Sequence, residues 1–306
     1  MSFPKMKLGE CAEIHSGSTP RTNNPDFWDG DITWVTPKDL SKLKSKFISK
    51  TESKITQLGF DSCSTKLLPE NSVLFSSRAP IGHVAINTIP MCTNQGFKSF
   101  VPKADLLDSQ YLYYWLKANK EYLQDLGVGA TFKEISKTVI ANVEIPLPPL
   151  AEQRRIASIL DQADELRQKR QQTIEKLDQL LQATFIDMFG DPEQNPKKWN
   201  KVILGDICDA KDRVNYGVVQ PGNDFEGGIP LIRVGDIDGG ILSFTSIKTI
   251  DPEIEKDYSR SRLKGNEILV SCVGSIGTIA KVPNKAIGFN IARAITRVPL
   301  QDKRII

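Results

Sequence analysis

The sequence predicts an α+β protein with two strand-rich domains, the second incomplete, separated by one long coiled-coil helix. Three observations lead to this prediction. The chain repeats one set of sequence blocks, both copies consist mainly of short apolar runs between turn residues, and the segment between them lacks glycine and proline. We place the first domain at residues 1–148, the helical region at 149–190 and the second domain at 191–306.

The repeat consists of four blocks that occur in the same order in both halves of the chain. Their spacing is kept while polar residues change, which is typical of two copies of one domain with different ligands. Chance could explain one matching block but not four in order. The pairs are KLGECAEI and ILGDICDA, ITWVTPKDL and IPLIRVGDI, NSVLFSSRAPIGHVAI and NEILVSCVGSIGTIAKV, and TNQGFKSFVP and FNIARAITRVP.

The first copy contains short apolar runs separated by Gly, Pro, Asn and Ser, a pattern that predicts strands at Ile32–Val35, Ser72–Phe75 and His83–Ile86. One segment, SQYLYYWLKANKEYLQDL, instead has apolar residues near helical spacing. We expect its aromatic side chains to lie in the core rather than to stack on bases.

A long helix is predicted after the proline-rich turn IPLPPL at Ile145–Leu150, because prolines end the preceding structure. From Ala151 to about Phe189, one row of positions recurs in steps of four and three, as in a coiled-coil seam with a polar middle. Such a helix would be on the order of 55 Å long and would act as a spacer. The row is Ile156, Leu160, Ala163, Arg167, Arg170, Ile174, Leu177, Leu181, Thr184 and Met188.

Composition excludes several classes of protein. No apolar stretch approaches the roughly 20 residues that span a bilayer, and the N-terminus lacks the apolar run of a signal peptide, so we expect a cytoplasmic protein without membrane contact. The five cysteines form no C-x-x-C pair, which argues against a zinc site or a disulfide framework. Only two histidines are available for acid–base or metal chemistry.

Catalytic motifs are also absent from the sequence. There is no G-x-x-x-x-G-K-[ST] phosphate loop, and the nearest approach to a dinucleotide fingerprint, Gly127 and Gly129, has Phe132 in place of the third glycine. NPDF at Asn24–Phe27 only faintly resembles the Asn-Pro-Pro-aromatic turn of amino-methylating enzymes. We therefore expect no catalytic residue, no metal site and no directly bound cofactor.

Nucleic-acid contact is better supported, first by a lysine-rich segment between Pro37 and Lys54. A local basic patch suits a polyanion, although a solvated loop is an equally ordinary explanation. Its candidate phosphate contacts are Lys38, Lys42, Lys44 and Lys46.

Polar clusters near predicted strand ends supply candidate base contacts, because these side-chain types hydrogen-bond to base edges. Asn94, Gln95 and Gly96 would also make an adequate turn without any ligand. The first-copy candidates are Ser76, Ser77, Arg78, Thr93, Asn94, Gln95, Lys98, Thr131 and Lys133, and those of the second copy are Arg213, Arg233, Asn290, Arg293 and Arg297. Different polar side chains on one framework imply that each domain recognises a different DNA sequence.

The turn and helix start together resemble a known family. IPLPPLAEQRRIASILDQADEL, at Ile145–Leu166, is similar to the central conserved region of the specificity subunit of type I restriction-modification systems. The preceding block GATFKEISKTVIANVEIPLPPL is similar to the end of that family's target recognition domains. The duplicated layout extends the resemblance over essentially the whole chain.

The resemblance implies a DNA-recognition subunit without an active site. It would hold modification subunits that methylate adenine with S-adenosylmethionine, and restriction subunits that hydrolyse ATP and cut double-stranded DNA, so these cofactors and Mg²⁺ belong to the partners. Each domain would recognise half of a split target. The expected coiled-coil and partner-interface residues are Glu152, Gln153, Arg154, Arg155, Ile156, Leu160, Ala163, Ile174, Leu177 and Leu181.

The sequence departs from complete members in one respect. They pair two conserved helices antiparallel, whereas this sequence contains only the first, and Ile306 corresponds to about Gln110 of the first copy. We expect two chains to pair through the unpartnered seam about a two-fold axis, which favours a palindromic split target. Two other functions compete with this one: a free-standing methyltransferase or nuclease, and a truncated coiled-coil scaffold or remnant without sequence specificity.

Overall fold

The computed structural model describes residues 3–78, 80–129, 133–265 and 267–301. The chain divides into two compact units, the first ending at Ala183 and the second beginning at Thr184. Each unit is rich in strands, and a single long helix connects their sequences, which confirms the predicted α+β class. The assignment of residues 1–148 to the first domain, 149–190 to the helical region and 191–306 to the second domain stays a prediction.

The described part of the first unit alternates short strands with short helices. Its strands are β1 (Lys5–Lys7), β2 (Ala12–Ser16), β3 (Trp28–Val35), β4 (Phe47–Ile48), β5 (Ser53–Ile55), β6 (Val73–Phe75), β7 (Val84–Asn87), β8 (Cys92–Thr93), β9 (Lys98–Pro102) and β10 (Glu144–Pro146). Its helices are α1 (Leu8–Cys11), α2 (Pro37–Ser41), α3 (Gln57–Asp61), α4 (Ser109–Ala118), α5 (Lys120–Asp125), α6 (Lys137–Ala141) and most of α7 (Leu150–Phe189), with a 3-10 turn at Pro25–Phe27.

The second unit is built from shorter pieces. Its strands are β11 (Asn215–Tyr216), β12 (Ile229–Ile232), β13 (Ile237–Asp238), β14 (Ile241–Leu242), β15 (Lys248–Ile250), β16 (Glu267–Ser271), β17 (Ile279–Lys281), β18 (Asn290–Ile291) and β19 (Ile295–Pro299). They are accompanied by α8 (Pro252–Lys256) and by 3-10 turns at Leu204–Ile207, Val234–Asp236, Ser259–Ser261 and Asn284–Ala286.

Both units share one sheet topology, which explains the repeated sequence blocks. The order β2-β9-β6-β7 in the larger sheet of the first unit matches β11-β19-β16-β17 in the second. The smaller sheets, β5-β3-β8 and β15-β12-β18, match in the same way. In each smaller sheet the central strand has one antiparallel and one parallel neighbour.

Helix α4 packs its aromatic face into the core of the first unit. Its N-cap Asp108 accepts hydrogen bonds from the backbone N–H groups of Gln110 and Tyr111, both 3.0 Å long, and such a cap satisfies donors that a helix start leaves open. Tyr111 and Tyr113 are buried, and the Tyr111 hydroxyl donates to the Pro146 carbonyl at 2.7 Å. The helix therefore belongs to the core, as its spacing predicts.

Gln153 fixes the first turn of α7 to the first unit. Its side chain is fully buried. Its Oε1 accepts the Asp108 backbone N–H at 2.9 Å, and its Nε2 donates to the carbonyls of Leu106 and Pro148, both at 2.8 Å. Since buried amides that lose their partners destabilise a fold, these three hydrogen bonds hold the start of the long helix on the domain.

The second unit contains a buried group of charges around Arg297. This guanidinium is fully buried and bonds to Glu267, which is also fully buried, at 3.1 Å, and to Asp212. Lys264 adds a second cation 2.8 Å from Asp212. Breaking a buried ion pair by removing one partner is costly because it leaves an uncompensated charge in the interior.

Replacing Arg297 with alanine should therefore lower the free energy of unfolding of the second unit by about 3–5 kcal/mol. The measurement is urea unfolding followed by hydrogen exchange in peptides from β16 and β19. Arg293→Ala, four residues earlier and exposed, is the matched control and should change stability by less than about 0.5 kcal/mol. Equal effects of the two substitutions would contradict the buried role of Arg297.

Candidate nucleic-acid interface

Several loops of the first unit meet where the parallel strands β3 and β8 end. The carboxyl ends of parallel strands lie at the same sheet edge, and Trp34 and Val35 pair with Cys92 and Thr93. Backbone hydrogen bonds join the loops: Ser18 N to Thr93 O at 2.9 Å, Asn94 N to Val35 O at 3.0 Å, and Ser77 N to Gly96 O at 2.8 Å. We call residues 17–24, 36–38, 77–78 and 94–96 the first loop cluster.

These loops are packed too closely to admit a side chain at Gly17. A Cβ atom there would come within 1.9 Å of the Asn94 carbonyl oxygen, which is backbone and has no room to move. At Gly96, a Cβ atom would lie 3.3 Å from Cγ of Pro37. The cluster is thus a fixed backbone platform, and its exposed side chains are held by it.

Gln95 is an exposed polar side chain of this platform. The half-buried Thr19 hydroxyl donates to its Oε1 atom. Lys38 and Arg21 are exposed on neighbouring loops, and Arg78 is exposed on the loop after β6. Sequence reasoning missed Thr19 and Arg21, although GSTPRTNN forms a polar run shortly before the first predicted strand.

Other first-copy candidates are used to build the platform. The Ser76 hydroxyl donates to Pro80 O and accepts His83 N, both at 2.8 Å, and the Ser77 hydroxyl donates to Gly96 O at 3.2 Å. Asn94 Oδ1 accepts the Gly96 N–H at 2.9 Å. The Asn94 side chain therefore stabilises the turn itself, which is the alternative to DNA contact that the sequence left open.

Four first-copy residues that we expected to contact DNA are buried instead, which corrects that expectation. Ser76, Ser77, Thr93 and Lys98 are all buried. The Lys98 side chain is 8% exposed, and its ammonium pairs at 3.1 Å with Glu134, which is distant in sequence. A charge held in this way is not available to a phosphate. Thr131 lies outside the described residues.

Lys133 is exposed beside the first loop cluster. The backbone of the next residue, Glu134, forms an antiparallel bridge with Arg78. Lys133 therefore stays a candidate for DNA contact.

The lysine-rich segment separates into three environments. Lys38 and Lys42 share one carboxylate, Glu52, at 3.2 and 2.5 Å. The hydrogen bond from Lys42, followed by that from Lys38, lowers the pKa of Glu52, and the hydrogen bond with Glu52 raises the pKa of Lys42. Lys44 is exposed and forms no ion pair within the described residues.

Lys46 has a different role from the one its sequence context predicts. Its side chain is only 14% exposed and its ammonium bonds to Asp161 on α7 and to Gln110 on α4. The Tyr114 hydroxyl donates to the same Asp161 oxygen at 2.5 Å, and the ammonium lies 5.6 Å from the Tyr114 ring centroid. Lys46 thus fastens the domain to the long helix, which corrects its assignment as a phosphate contact.

The second unit forms an equivalent set of loops, residues 217–220, 233–235, 272–274 and 292–294, which we call the second loop cluster. Val218 N donates to Ile291 O at 2.8 Å, and Cys272 N donates to Ala294 O at 2.8 Å. A Cβ atom at Gly217 would come within 1.7 Å of the Ile291 carbonyl oxygen. Gly217 therefore matches Gly17 in position and in packing.

The arginines of the second unit are not equivalent. Arg293 and Arg213 are exposed. The Arg233 side chain is half exposed but bonds to Asp236 at 3.0 Å and to the Ser246 carbonyl at 3.1 Å. The burial of Arg297 described above removes it from the DNA-contact candidates.

Asn290 is likewise a structural residue. Its side chain is fully buried and its Nδ2 donates to Glu255 Oε1 and to the Tyr258 carbonyl, both at 3.0 Å. Its Oδ1 accepts the Ser261 hydroxyl at 2.7 Å. This network corrects the expectation that Asn290 contacts bases.

The head of α7 presents charges, with one exception. Glu152 and Arg155 form a two-pronged ion pair at 2.8 Å, and Arg154 lies 3.8 Å from Asp108. Gln153, which the sequence places with them at a partner interface, is buried inside its own domain. The half-buried Ile156 packs against the first core.

Further along α7 the predicted seam is exposed. Its apolar side chains have exposed fractions from 38% at Leu160 to 73% at Leu181, and Ala163 is exposed as well. We call Leu160, Ala163, Ile174, Leu177 and Leu181 the exposed row.

In the described part of the chain, no helix combines the length and apolarity needed to cross a bilayer.

The chain is similar to known proteins over nearly its whole length. The family model described as the type I restriction modification DNA specificity domain matches residues 2–176. The type I restriction enzyme MjaIX specificity subunit of Methanocaldococcus jannaschii is 34% identical, over 97% of this chain and 73% of that protein. The EcoBI specificity subunit of Escherichia coli is 31% identical over 71% of this chain, which spans half of that protein.

The fold has solved counterparts too. A crystal structure of the type I restriction-modification S subunit from M. genitalium superposes with a TM-score of 0.52 at 17% identity, covering 98% of this chain and 73% of that one. At this identity the likeness supports the fold alone. The family match and the sequence identity together show that the chain belongs to the specificity subunits of type I restriction-modification systems, which recognise DNA and are themselves non-catalytic.

Proposed function

We propose that the first and second loop clusters contact the two halves of a split DNA target. The observation that carries this proposal is that both units hold the same closely packed loops at the end of their parallel strands, while the exposed side chains differ. Gln95, Lys38 and Arg21 occupy the first cluster, and Arg293 and Arg233 the second. A shared platform with different side chains suits two domains that recognise different sequences.

Phosphate contacts would add affinity without sequence preference. Lys44 is the best candidate because it is exposed and forms no ion pair within the described residues. Lys38, Lys42 and Lys133 are exposed as well, but Lys38 and Lys42 are partly neutralised by Glu52. Arg213 would have the same role in the second unit.

Partner subunits would supply the chemistry. We propose that adenine-methylating modification subunits with S-adenosylmethionine, and restriction subunits with ATP and Mg²⁺, assemble on this chain in the cytoplasm. Glu152, Arg154 and Arg155 at the head of α7 present charged groups for such contacts. The family match does not favour the scaffold or remnant alternative, and a free-standing methyltransferase or nuclease conflicts with the non-catalytic family.

We further propose that a second copy of the chain covers the exposed row. Heptad-spaced apolar side chains along a helix bury their surface against another helix of the same spacing, and a second copy offers such a helix. Ile174, Leu177 and Leu181 are each more than half exposed in the single chain. A two-fold pair of this kind would favour a palindromic target.

Purification of the chain with its cognate modification subunit, followed by sequencing of methylated adenines in DNA, tests the function. A methylated split motif is expected. A palindromic motif would support the two-fold pair with the same loop cluster at both half-sites, and it would overturn the assignment of one cluster to each half. A non-palindromic motif would support that assignment. Stable assembly without methylation of any motif would overturn the proposal and favour a scaffold.

Replacing Lys44 with alanine should reduce the salt dependence of DNA binding, because each lost phosphate contact removes roughly 0.9 from the slope of log K against log salt. Lys46→Ala is the matched control, since its ammonium is held by Asp161. It should leave the slope unchanged and lower the thermal stability of the first unit. The opposite result, a smaller slope for Lys46→Ala alone, would place Lys46 on the DNA.

Replacing Leu177 and Leu181 with aspartate should convert a dimer into a monomer, because both apolar groups of the exposed row become charged. Analytical ultracentrifugation at micromolar concentration measures the state, and circular dichroism checks that the units stay folded. Aspartates at Gln172 and Gln179, on the opposite face of the helix, add the same charge and should leave the dimer intact.

A strictly monomeric wild-type chain would reject self-pairing. If that monomer binds a modification subunit and loses this binding in the Leu177 and Leu181 variant, the modification subunit covers the exposed row instead.

A further inference from the structure

The turn after β8 in the first unit and the turn after β18 in the second are the same structure. Asn94 N donates to Val35 O at 3.0 Å, as Ala292 N donates to Ile232 O at 2.9 Å. Both turns then close with one further backbone bond, Phe97 N to Asn94 O at 3.2 Å and Ile295 N to Ala292 O at 2.9 Å.

Strand register gives the same alignment. Val35 pairs with Thr93, and Ile232 pairs with Ile291, each at the end of the parallel pair. Counting on from these pairs places Gln95 and Arg293 at the same position of the two loop clusters.

At this position, and in both units, the polar side chain is left exposed by its neighbours. In the first unit Thr93 is buried and Asn94 is used to hold the backbone of Gly96. In the second unit Ile291 is buried and Ala292 has no side-chain hydrogen-bonding group. The Arg293 guanidinium makes no hydrogen bond or ion pair within the described residues, and Gln95 is exposed.

The two side chains have different hydrogen-bonding chemistry. A glutamine amide carries both an acceptor and a donor and matches the N6 and N7 edge of adenine. An arginine carries only donors and matches O6 and N7 of guanine. The Thr19 hydroxyl donates to Gln95 Oε1, which leaves the second lone pair of this oxygen and the Nε2 donor for a base.

We propose that Gln95 and Arg293 are equivalent base-recognition positions, with Gln95 contacting adenine in one half of the target and Arg293 contacting guanine in the other. This inference rests on the proposed DNA-recognition function of the loop clusters. It requires that Gln95→Arg alters the sequence preference in one half-site and that Arg293→Gln alters it in the other.

The test uses the full chain purified with its modification subunit and a pool of random duplex DNA. Bound duplexes are sequenced for the wild type and for Gln95→Arg and Arg293→Gln. We expect Gln95→Arg to change one adenine of one half-site to guanine, and Arg293→Gln to change one guanine of the other half-site to adenine. The preference at each position should be roughly 5- to 150-fold, the range for a two-pronged contact.

Gln95→Ala and Arg293→Ala form a second pair of variants that introduce no new contact. Each should lose base preference at one position and keep the rest of the motif. Gln57→Arg and Arg260→Gln make the same exchanges at exposed positions outside both loop clusters and should keep the wild-type motif.

Several outcomes would overturn the inference. The first is a motif that stays unchanged in both Gln95→Arg and Arg293→Gln. The second is that both variants alter the same half-site. The third is a uniform loss of affinity for all sequences. Each of these leaves the DNA-recognition function standing. No enriched motif for the wild-type complex would instead reject the proposed function itself.

Discussion

The parallel pairing of two short strands in each unit is the constraint on which the candidate interface depends. Only two residue pairs join β3 to β8 and two join β12 to β18. Parallel strands end at the same edge, so the segments that follow them must lie side by side. Glycines at positions 17 and 217 then let a further loop approach a carbonyl more closely than any side chain would permit. Without this pairing the loops would have no common surface.

Within this frame, most polar residues near the loops serve the protein itself. Ser76 and Ser271 each hold a turn by accepting a backbone N–H, at 2.8 Å in both cases, from His83 and Thr278 respectively. Asn290 is held by hydrogen bonds with Ser261, Glu255 and the Tyr258 carbonyl. Turns that are stabilised internally keep their shape without a ligand. Gln95 and Arg293 are exposed at equivalent positions, and there the two copies differ.

The fold was largely predictable from the sequence, because it depends on patterns local to each block. Repetition of four blocks indicated two related domains, and the absence of glycine and proline after Leu150 indicated the long helix. The candidate DNA contacts were less predictable, since the type of a side chain does not show which residue it pairs with in the folded chain. Lys46 and Asp161 are 115 positions apart, and Arg297 and Asp212 are 85 apart. Such pairs become visible only when the chain is folded.

The attachment of the long helix determines where the first domain ends along the chain. Asp161 holds Lys46 and Tyr114, and Gln153 holds the backbone on either side of Leu107, so the first domain completes its own hydrogen bonds with residues of α7. A segment cut at the proline turn would leave these groups without partners. The first domain therefore includes the opening turns of α7, and a chain joined to another one beyond Asp161 would keep these hydrogen bonds.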